Sequence, residues 1–287
     1  MTALALRPTF EIVRPVGGPA GPVVFASPHS GRHYPADLLA ASALDDLALR
    51  RSEDAYVDRL IAAAAGHGIT TLKACMARAY VDVNREADEL DPDMFSDAHP
   101  GMPRSLTARV AAGLGAIPRI VAEGQEIYDR KLSLAEARGR LEAVYVPYHQ
   151  ALDQLLAETR AAHGLAILID WHSMPAIAAR TPGGSCDLVL GDRFGVSCAN
   201  QLTRQVERSF GELGYRVARN APYAGGYTTE HYGRPGLQIH ALQIEINRSL
   251  YMDEASLELS AGFERLVMDL DEVMRGLAAT NWSEIAS

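Results

Sequence analysis

Two histidines stand where apolar segments end, and their chemistry suits a metal ion. His172 lies near the end of AILIDWHSMP (residues 166–175), and His29 lies near the end of PVVFASPHSG (residues 22–31). Each segment is typical of a buried strand whose polar residues come last. Ligands of open α/β sheets bind at that carboxyl edge, and neutral imidazole is a common zinc ligand. The pattern therefore predicts a metal site that contains His29 and His172.

A third metal ligand is expected from a carboxylate, because a catalytic zinc usually keeps three protein ligands and leaves one position to water. The segment RSEDAYVDRL (residues 51–60) offers Glu53, Asp54 and Asp58 at the start of a predicted helix. Asp54 and Asp58 would be one turn apart on such a helix. We predict Asp54 as the ligand, with Glu53 as its rival, and expect Asp58 and Ser30 beside the ligands. A solvated helix face is the alternative explanation of this acidic cluster.

A basic segment offers a binding site for a substrate carboxylate. ARAYVDVNRE (residues 77–86) predicts a strand over residues 78–83 that is followed by Asn84 and Arg85. Arginine binds carboxylates through two parallel hydrogen bonds, so Arg78, Asn84 and Arg85 are predicted to contact substrate. Asp82 is predicted to orient a metal-bound histidine through the second ring nitrogen. A surface network of salt bridges is the alternative.

The predicted strand HALQIEIN (residues 240–247) carries a carboxylate between apolar neighbours. Glu245 is flanked by Ile244 and Ile246, and burial of a carboxylate without a partner is costly. Burial also raises a carboxyl pKa towards the range that suits a general base. We predict that Glu245 is the general base of a hydrolysis. A structural ion pair with Arg248 is the alternative.

Two long loops are predicted, over residues 86–104 and 219–238, and loops of this length tend to cover or line binding sites. In NAPYAGGYTTEHYGRP (residues 220–235), adjacent glycines permit unusual backbone angles or a close approach to a ligand. The residues predicted to contact substrate there are Tyr223, Gly225, Gly226, Thr228, His231 and Arg234. For His231, a surface position is an equal alternative. Ser173 lacks the strained G-x-S-x-G turn of a serine nucleophile.

Composition limits the classes of partner. The chain has 287 residues and a net charge of −9, so it lacks the basic excess that nucleic-acid phosphates require. It contains no apolar run of 18 residues, so no membrane span is predicted, and its first residues do not resemble a signal peptide. Three cysteines at unrelated spacings indicate reduced thiols. These features predict a cytoplasmic protein whose partner is a small molecule.

The alternation of apolar strands and amphipathic helices predicts an α/β fold. We predict one domain over residues 1–287, with a mixed, mainly parallel sheet flanked by helices. Predicted strands cover residues 22–28, 69–75, 78–83, 165–170, 186–190 and 240–247. Predicted helices cover residues 44–65, 105–113, 133–162, 195–213 and 254–278. Pro147 is expected to break or kink the third of these helices.

Several of these segments together resemble the N-formylglutamate amidohydrolase (deformylase) family. The matching stretches are SPHSGRHYP, EDAYVDRL, ARAYVDVNRE, VPYHQAL, LIDWHSMP, DLVLGDRFGVSC, NAPYAGGYTTEHYGRP and HALQIEINRSLYMDE, in order from residue 27 to residue 254. The family is similar in turn to zinc carboxypeptidases and aspartoacylases. The resemblance implies a zinc-carboxypeptidase-like (phosphorylase/hydrolase-like) fold that holds one divalent metal ion, zinc.

The resemblance also implies a reaction, the removal of a formyl or other small acyl group from an N-acyl amino acid such as N-formyl-L-glutamate. It implies that His29 and His172 are zinc ligands and that Asn84 and Arg85 bind the substrate carboxylate. It also implies that Arg78 polarises the carbonyl or binds substrate and that Glu245 is the base. One departure concerns the third ligand. The wider superfamily carries a glutamate three residues after its first histidine, and that position here is Arg32.

Three other functions compete with this one. They are an aminoacylase or carboxypeptidase-like hydrolase with another acyl group, a metal-independent serine hydrolase, and a binding protein without activity. Formate release, metal content and sensitivity to chelators would distinguish them.

Overall fold

The fold is described from a computed structural model that covers residues 8–99, 107–121, 124–181 and 184–285. Three regions considered above extend outside these ranges: the first residues of the chain, the end of the predicted loop 86–104 and the beginning of the predicted helix 105–113.

A seven-stranded sheet forms the centre of the fold. The strands of the described chain are β1 (Phe10–Val13), β2 (Val23–Ser27), β3 (Thr70–Ala74), β4 (Ala166–Met174), β5 (Arg180–Thr181), β6 (Gly184–Ser185), β7 (Leu188–Gly191), β8 (Val217–Arg219) and β9 (Ile239–Asn247). The large sheet has the order β1-β3-β2-β4-β9-β7-β8, and β5 pairs with β6 separately. β2–β4, β4–β9 and β7–β8 are parallel, whereas β7–β9 is antiparallel. The prediction of a mixed, mainly parallel sheet is confirmed.

Helices flank this sheet. The α-helices of the described chain are α1 (Ala36–Ala41), α2 (Asp46–Arg50), α3 (Val57–Leu60), α4 (Ala108–Ala111), α5 (Leu134–Arg140), α6 (Val146–His163), α7 (Asn200–Glu212), α8 (Tyr227–Tyr232) and α9 (Gly262–Ala279). Short 3₁₀ turns occupy Ala62–His67, Pro92–Met94, Pro235–Leu237, Arg248–Leu250 and Trp282–Ile285. Among the helices of the described ranges, none combines the length and the apolar character that a bilayer crossing needs.

The parallel pair β4–β9 positions His172, Glu245 and several of their polar neighbours. All nine residues of β4 are buried, as expected for a parallel strand covered on both faces. The strands pair in continuous register from Ala166 opposite Ile239 to Met174 opposite Asn247. This register sets Asp170 opposite Gln243 and His172 opposite Glu245. The predicted strand at 165–170 was therefore too short, because Trp171 and His172 lie inside β4.

The chain divides into two compact units. The first consists of Met1–Ile12, His29–Glu53 and Lys73–Ala151, and the second of Val13–Pro28, Asp54–Leu72 and Leu152–Ser287. A small apolar cluster in the first unit includes Leu38, Leu49 and Ile127. The largest cluster includes residues of β2, β4, β7, β9, α7 and α9 in the second unit. A single domain over residues 1–287 stays a prediction.

The predicted helix 44–65 is wrong as a continuous element. It is divided into α2, α3 and a 3₁₀ turn, and Tyr56 interrupts it with a left-handed φ of 66°. Glu53, Asp54 and Ala55 are all buried. Three consecutive residues of an α-helix point in different directions, so a helix with one buried face could not bury all three. The burial of these residues is therefore incompatible with the predicted amphipathic helix. Asp54 lies in the break, and it is not one helical turn from Asp58 on a shared face.

The predicted strand 78–83 is also wrong, because these residues form turns. The Tyr80 amide donates to Ala77 O at 2.9 Å, and the Asn84 amide donates to the Asp82 carboxylate at 2.9 Å. An aspartate side chain that accepts a backbone amide two residues ahead competes with strand pairing. The alternation of apolar and polar residues over residues 80–83 therefore occurs in a buried turn and not in a strand.

Helix boundaries differ from the predicted ones in the second half of the chain. The predicted helix 195–213 begins at Asn200, and the predicted helix 254–278 begins at Gly262. The predicted loop 219–238 contains α8 and a 3₁₀ turn. The helical run 134–163 passes through Pro147 without a break, since a π turn at Leu141–Tyr145 comes just before it.

Candidate metal and substrate site

Two histidines and one aspartate come together as the sequence predicted. One potential ligand atom from each of His29, Asp54 and His172 lies within 4.8 Å of the other two. All three residues are about 2 % exposed. His29 follows β2 by two residues, His172 lies near the carboxyl end of β4, and Asp54 lies between α2 and α3.

Carboxylates contact both ring nitrogens of His172. Nδ1 lies 2.9 Å from Asp54 Oδ2, and Nε2 lies 2.9 Å from Asp170 Oδ2. Burial disfavours the imidazolium, but the negative charge of Asp170 and the hydrogen bonds that the ring donates to both carboxylates outweigh it. The pKa of His172 is therefore raised well above its usual value.

Asp82 contacts His29, as predicted for a residue that orients a metal-bound histidine. His29 Nε2 lies 2.6 Å from Asp82 Oδ1, and the Arg78 guanidinium donates to Asp82 Oδ2 at 2.6 Å. Burial raises the pKa of Asp82, but the charges of Arg78, His29 and Arg85 outweigh it and hold this pKa well below its usual value. Asp82 is thus an ionised acceptor for the histidine ring.

The two rival carboxylates have different partners. Asp54 Oδ1 accepts a hydrogen bond from Arg248 at 3.0 Å, while its Oδ2 faces His172. The neighbouring Glu53 accepts from the Tyr34 hydroxyl at 2.6 Å and from Arg50 Nε at 3.2 Å. Asp54, and not Glu53, belongs to the group with the two histidines.

Ser30 and Asp58, which were expected beside the ligands, differ in their burial. Ser30 is 2 % exposed and follows His29 directly, whereas Asp58 is half-buried in α3. Gly31 fixes the backbone after Ser30, because a Cβ there would lie 2.1 Å from Met76 O. The chain is therefore held close to residue 76 directly after the predicted ligand His29.

Glu245 lies opposite His172 on the neighbouring strand. It is 7 % exposed, and its carboxylate accepts a hydrogen bond from Gln243 Nε2 at 2.8 Å. Arg248, the alternative partner considered for Glu245, donates to Ser173 Oγ at 3.0 Å and pairs with Asp54.

Asn84 and Arg85 lie in a tightly bonded turn. Both are buried, and Arg85 donates through Nε to Leu114 O and through Nη1 to Asn84 O, each at 2.8 Å. Burial lowers the pKa of Arg85 from its usual value, but an arginine side chain stays charged at neutral pH. The turn is joined to His29 through Asp82, since the Asn84 amide also donates to Asp82.

The glycines of the predicted loop 219–238 are held near β9. Gly225 has a φ of 121°, and a Cβ there would lie 2.3 Å from Thr229 Oγ1. Only glycine suits that position. The Gly226 amide donates to Gln243 Oε1 at 2.7 Å. Because Gln243 also donates to Glu245, one amide side chain joins this loop to the predicted base.

The other predicted contacts in this loop have varied surroundings. Thr228 is fully buried, Tyr223 is half-buried, and the His231 ring stacks on Tyr227 with centroids 4.9 Å apart. Arg234 is exposed, and its backbone pairs with Ile239 at the start of β9. Glu245 lies six residues further along β9 than Ile239, about 20 Å away, so the backbone of Arg234 is distant from the predicted base.

Asp170 and Gln243 are the polar residues of the site that sequence reasoning missed. Side chains two residues apart in a strand lie on the same face. D-x-H at 170–172 and Q-x-E at 243–245 each carry two polar residues at that spacing inside an apolar strand. This spacing was the available signal for both residues.

The donor set of His29, Asp54 and His172 fits a divalent cation. Two imidazoles and one carboxylate form a ligand set that catalytic zinc sites use. In both histidines Nε2 is held by a carboxylate, from Asp82 and Asp170. Carboxylates in that position fix the ring orientation of metal-binding histidines. The nitrogen that each histidine can offer to a cation is therefore Nδ1.

Comparisons with known proteins agree with this description. The family model described as N-formylglutamate amidohydrolase matches residues 21–252. An N-formylglutamate deformylase from Pseudomonas aeruginosa is 31% identical over 238 residues, which cover 81% of this chain and 83% of that protein. A solved N-formylglutamate amidohydrolase from Ralstonia eutropha is 38% identical, with a TM-score of 0.89 over 94% of this chain and 97% of that one.

A second solved structure shares the fold alone. It is a protein from Agrobacterium tumefaciens that is 17% identical, with a TM-score of 0.62 over 94% of each chain. Fold and site together define an α/β protein with a buried His–Asp–His group of metal-ligand composition. The chain belongs to the N-formylglutamate amidohydrolase family.

Proposed function

We propose that this protein hydrolyses the formyl amide of N-formyl-L-glutamate, with release of formate and glutamate, in a zinc-dependent reaction. The observation that carries the proposal is the buried group of His29, Asp54 and His172, with Glu245 opposite His172 on the next strand. Relatives named N-formylglutamate deformylase support the choice of substrate.

His29, Asp54 and His172 would hold the zinc ion. When bound, such an ion supplies Lewis-acid polarisation of the amide carbonyl and a water of lowered pKa. Asp82 and Asp170 would keep the two imidazole rings in place through Nε2. Arg248 would hold the second oxygen of Asp54 in place.

Glu245 would act as the general base and then as the general acid. Its carboxylate takes a proton from water as the water oxygen bonds to the formyl carbon. It then gives that proton to the amide nitrogen as the C–N bond breaks. Gln243 donates to Glu245, which supports a fixed orientation of the carboxylate.

Asn84 and Arg85 would bind a substrate carboxylate, and Arg78 would stabilise the oxyanion that develops on the formyl carbonyl. Arg78 and Arg85 both interact with Asp82, which supports a joint role beside His29. Residues 223–231 would cover the substrate, and Gly226 is joined to Glu245 through Gln243.

An assay of formate release from N-formyl-L-glutamate tests this function. We expect turnover with N-formyl-L-glutamate, little turnover with N-acetyl-L-glutamate, and loss of activity after dialysis against a chelator. Added zinc should restore the rate. A faster reaction with N-acetyl or peptide substrates would instead support an aminoacylase or carboxypeptidase-like enzyme.

Two further outcomes would contradict the proposal. Full activity in the presence of a chelator would support the metal-independent serine hydrolase. A metal-free protein that binds an amino acid without turnover would support the binding protein.

A further inference from the structure

The long helical run that ends at His163 contains a π turn at Leu141–Tyr145, directly before Val146 and Pro147. The Val146 amide donates to Leu141 O, five residues back, and Pro147 follows directly. Proline has no amide hydrogen and is poorly tolerated inside a regular helix. π turns are rare and occur often at functional sites. The segment VPYHQAL (residues 146–152) follows this turn.

Tyr145, the last residue of the π turn, and His149, four residues later, both bind the backbone of the turn that contains Asn84 and Arg85. The Tyr145 hydroxyl donates to Arg85 O at 2.9 Å, and His149 Nε2 lies 2.9 Å from Val83 O. Both bonds are buried, and the Tyr145 and His149 rings are 4.2 Å apart. His149 therefore carries its proton on Nε2, because a carbonyl oxygen can only accept.

The same helical run contacts this segment a second time, before the π turn. The Arg140 guanidinium lies 4.3 Å from the centre of the Tyr80 ring. In a regular α-helix, residues five apart point about 140° away from each other. The wider π turn brings Arg140 and Tyr145 towards one side, so both reach the segment that runs from Tyr80 to Arg85.

These contacts leave the turn little freedom. The consecutive carbonyls of Val83, Asn84 and Arg85 accept from His149, Arg85 Nη1 and Tyr145 respectively. The Asp82 amide donates to Ala116 O at 2.9 Å. A turn whose carbonyls all accept side-chain donors is held in one geometry, which is what bidentate recognition of a carboxylate requires.

We propose that Tyr145 and His149 are positioning residues for substrate-carboxylate recognition, and that the π turn with Pro147 directs them to the backbone around Asn84 and Arg85. The proposal rests on the proposed function in that Asn84 and Arg85 contact substrate. Neither Tyr145 nor His149 would touch the substrate itself.

The test uses Tyr145→Phe and His149→Leu, which each remove one donor, and His149→Gln, which keeps an N–H. We expect Tyr145→Phe and His149→Leu to raise KM for N-formyl-L-glutamate about tenfold with kcat changed less than about twofold. His149→Gln should recover most of the loss. Tyr215→Phe is the matched control, because it removes a hydroxyl bonded to Asp269 on another part of the chain.

Two readouts separate this proposal from the proposed function. Amide hydrogen exchange at residues 82–86 should accelerate in Tyr145→Phe and His149→Leu but not in Tyr215→Phe, whatever the enzyme hydrolyses. Calorimetric titration with glutarate should show weaker binding in the same two variants. Unchanged exchange, or unchanged KM and glutarate affinity, would overturn the proposal. If the wild-type protein binds glutarate but does not deformylate N-formyl-L-glutamate, only the proposed activity is contradicted. If it neither binds glutarate nor deformylates N-formyl-L-glutamate, the proposed activity and the positioning proposal are both contradicted.

Discussion

The carboxylate of Asp170 lies 2.9 Å from Nε2 of His172, two residues further along the same strand. Residues at this spacing in β4 face the same side, so the strand itself supplies both a predicted metal ligand and the group that orients it. Asp170 is fully buried among apolar neighbours. A buried carboxylate is costly unless it is paired, and its partner here is the imidazole.

The first prediction follows from this pair. Asp170→Asn should weaken zinc binding about 10-fold to 100-fold, because it removes the charged partner that fixes the His172 ring. Competition with a chromophoric chelator measures the affinity directly. Asp153→Asn, an exposed substitution on α6, is the control and should leave the affinity unchanged. Equal affinities in the two variants would show that Asp170 has no influence on the metal.

The second prediction concerns the base. Glu245→Gln should retain stoichiometric zinc and lose about 10²-fold to 10⁴-fold in kcat, the usual range for a general base. The side chain keeps its size and its neighbours, so metal content by atomic absorption separates loss of chemistry from loss of the site. Glu258→Gln, at an exposed position, serves as the control. A near-normal rate for Glu245→Gln would mean that another group takes the proton.

The third prediction concerns substrate binding. Arg85→Lys should raise KM for N-formyl-L-glutamate about 10-fold to 100-fold, because lysine keeps the charge but loses the two parallel bonds to a carboxylate. The hydrogen bonds to Leu114 O and Asn84 O are also lost. Steady-state kinetics separates KM from kcat. Arg204→Ala on the exposed side of α7 should behave as wild type. An unchanged KM in Arg85→Lys would mean that another residue binds the substrate carboxylate.

The fourth prediction concerns stability against acid. Arg130 and the Ser133 amide donate to Glu136, in the capping box that begins α5, and lower the pKa of Glu136 to about 2. A carboxyl whose pKa is lower in the folded state stabilises the fold fully above its unfolded value of 4.5 and loses that effect as pH falls towards 2. Because the ion pair is half-exposed, the contribution should be about 0.2–1 kcal/mol.

Urea unfolding of wild type and Glu136→Gln tests this sign. The difference in free energy of unfolding should be present at pH 7 and shrink between pH 4.5 and pH 3. Glu142→Gln, at an exposed position of the same helical run, should show no such change. A difference that grows as the pH falls would contradict the assignment.

Candidate site residues could be placed from the sequence where a chemically suitable residue type stood in or next to a recognisable strand. His29 and His172 follow or end apolar runs, and Glu245 interrupts one, so their strands and the sheet edge could be inferred from local pattern. Asp54 was predicted beside the two histidines because the third ligand of such a site was expected to be acidic. The sequence favoured Asp54 with Glu53 as its rival, and in the structure Arg248 contacts Asp54 whereas Tyr34 contacts Glu53. No local pattern carries those contacts.

The errors have a common physical origin. Residues 78–83 alternate like a strand, but the side chain of Asp82 bonds its own backbone and closes a turn. Residues 44–65 have a helical pattern, but burial of three consecutive residues breaks the helix before Tyr56. In both places a contact that the pattern of residue types does not show outweighs local propensity: a side-chain hydrogen bond two residues away in the first and tertiary burial in the second.

The pairing of β4 with β9 has a consequence for engineering of this chain. Gln238, which has a φ of 61°, accepts the Ala166 amide at 2.9 Å and so fixes where β9 starts. Since side chains alternate along a strand, one inserted or deleted residue before Ile239 would turn an isoleucine, and not Glu245, towards the imidazole of His172. A loop graft at residues 233–238 that shifts this register by one residue would thus inactivate the protein from about 20 Å away, although the chain would still contain every reacting group.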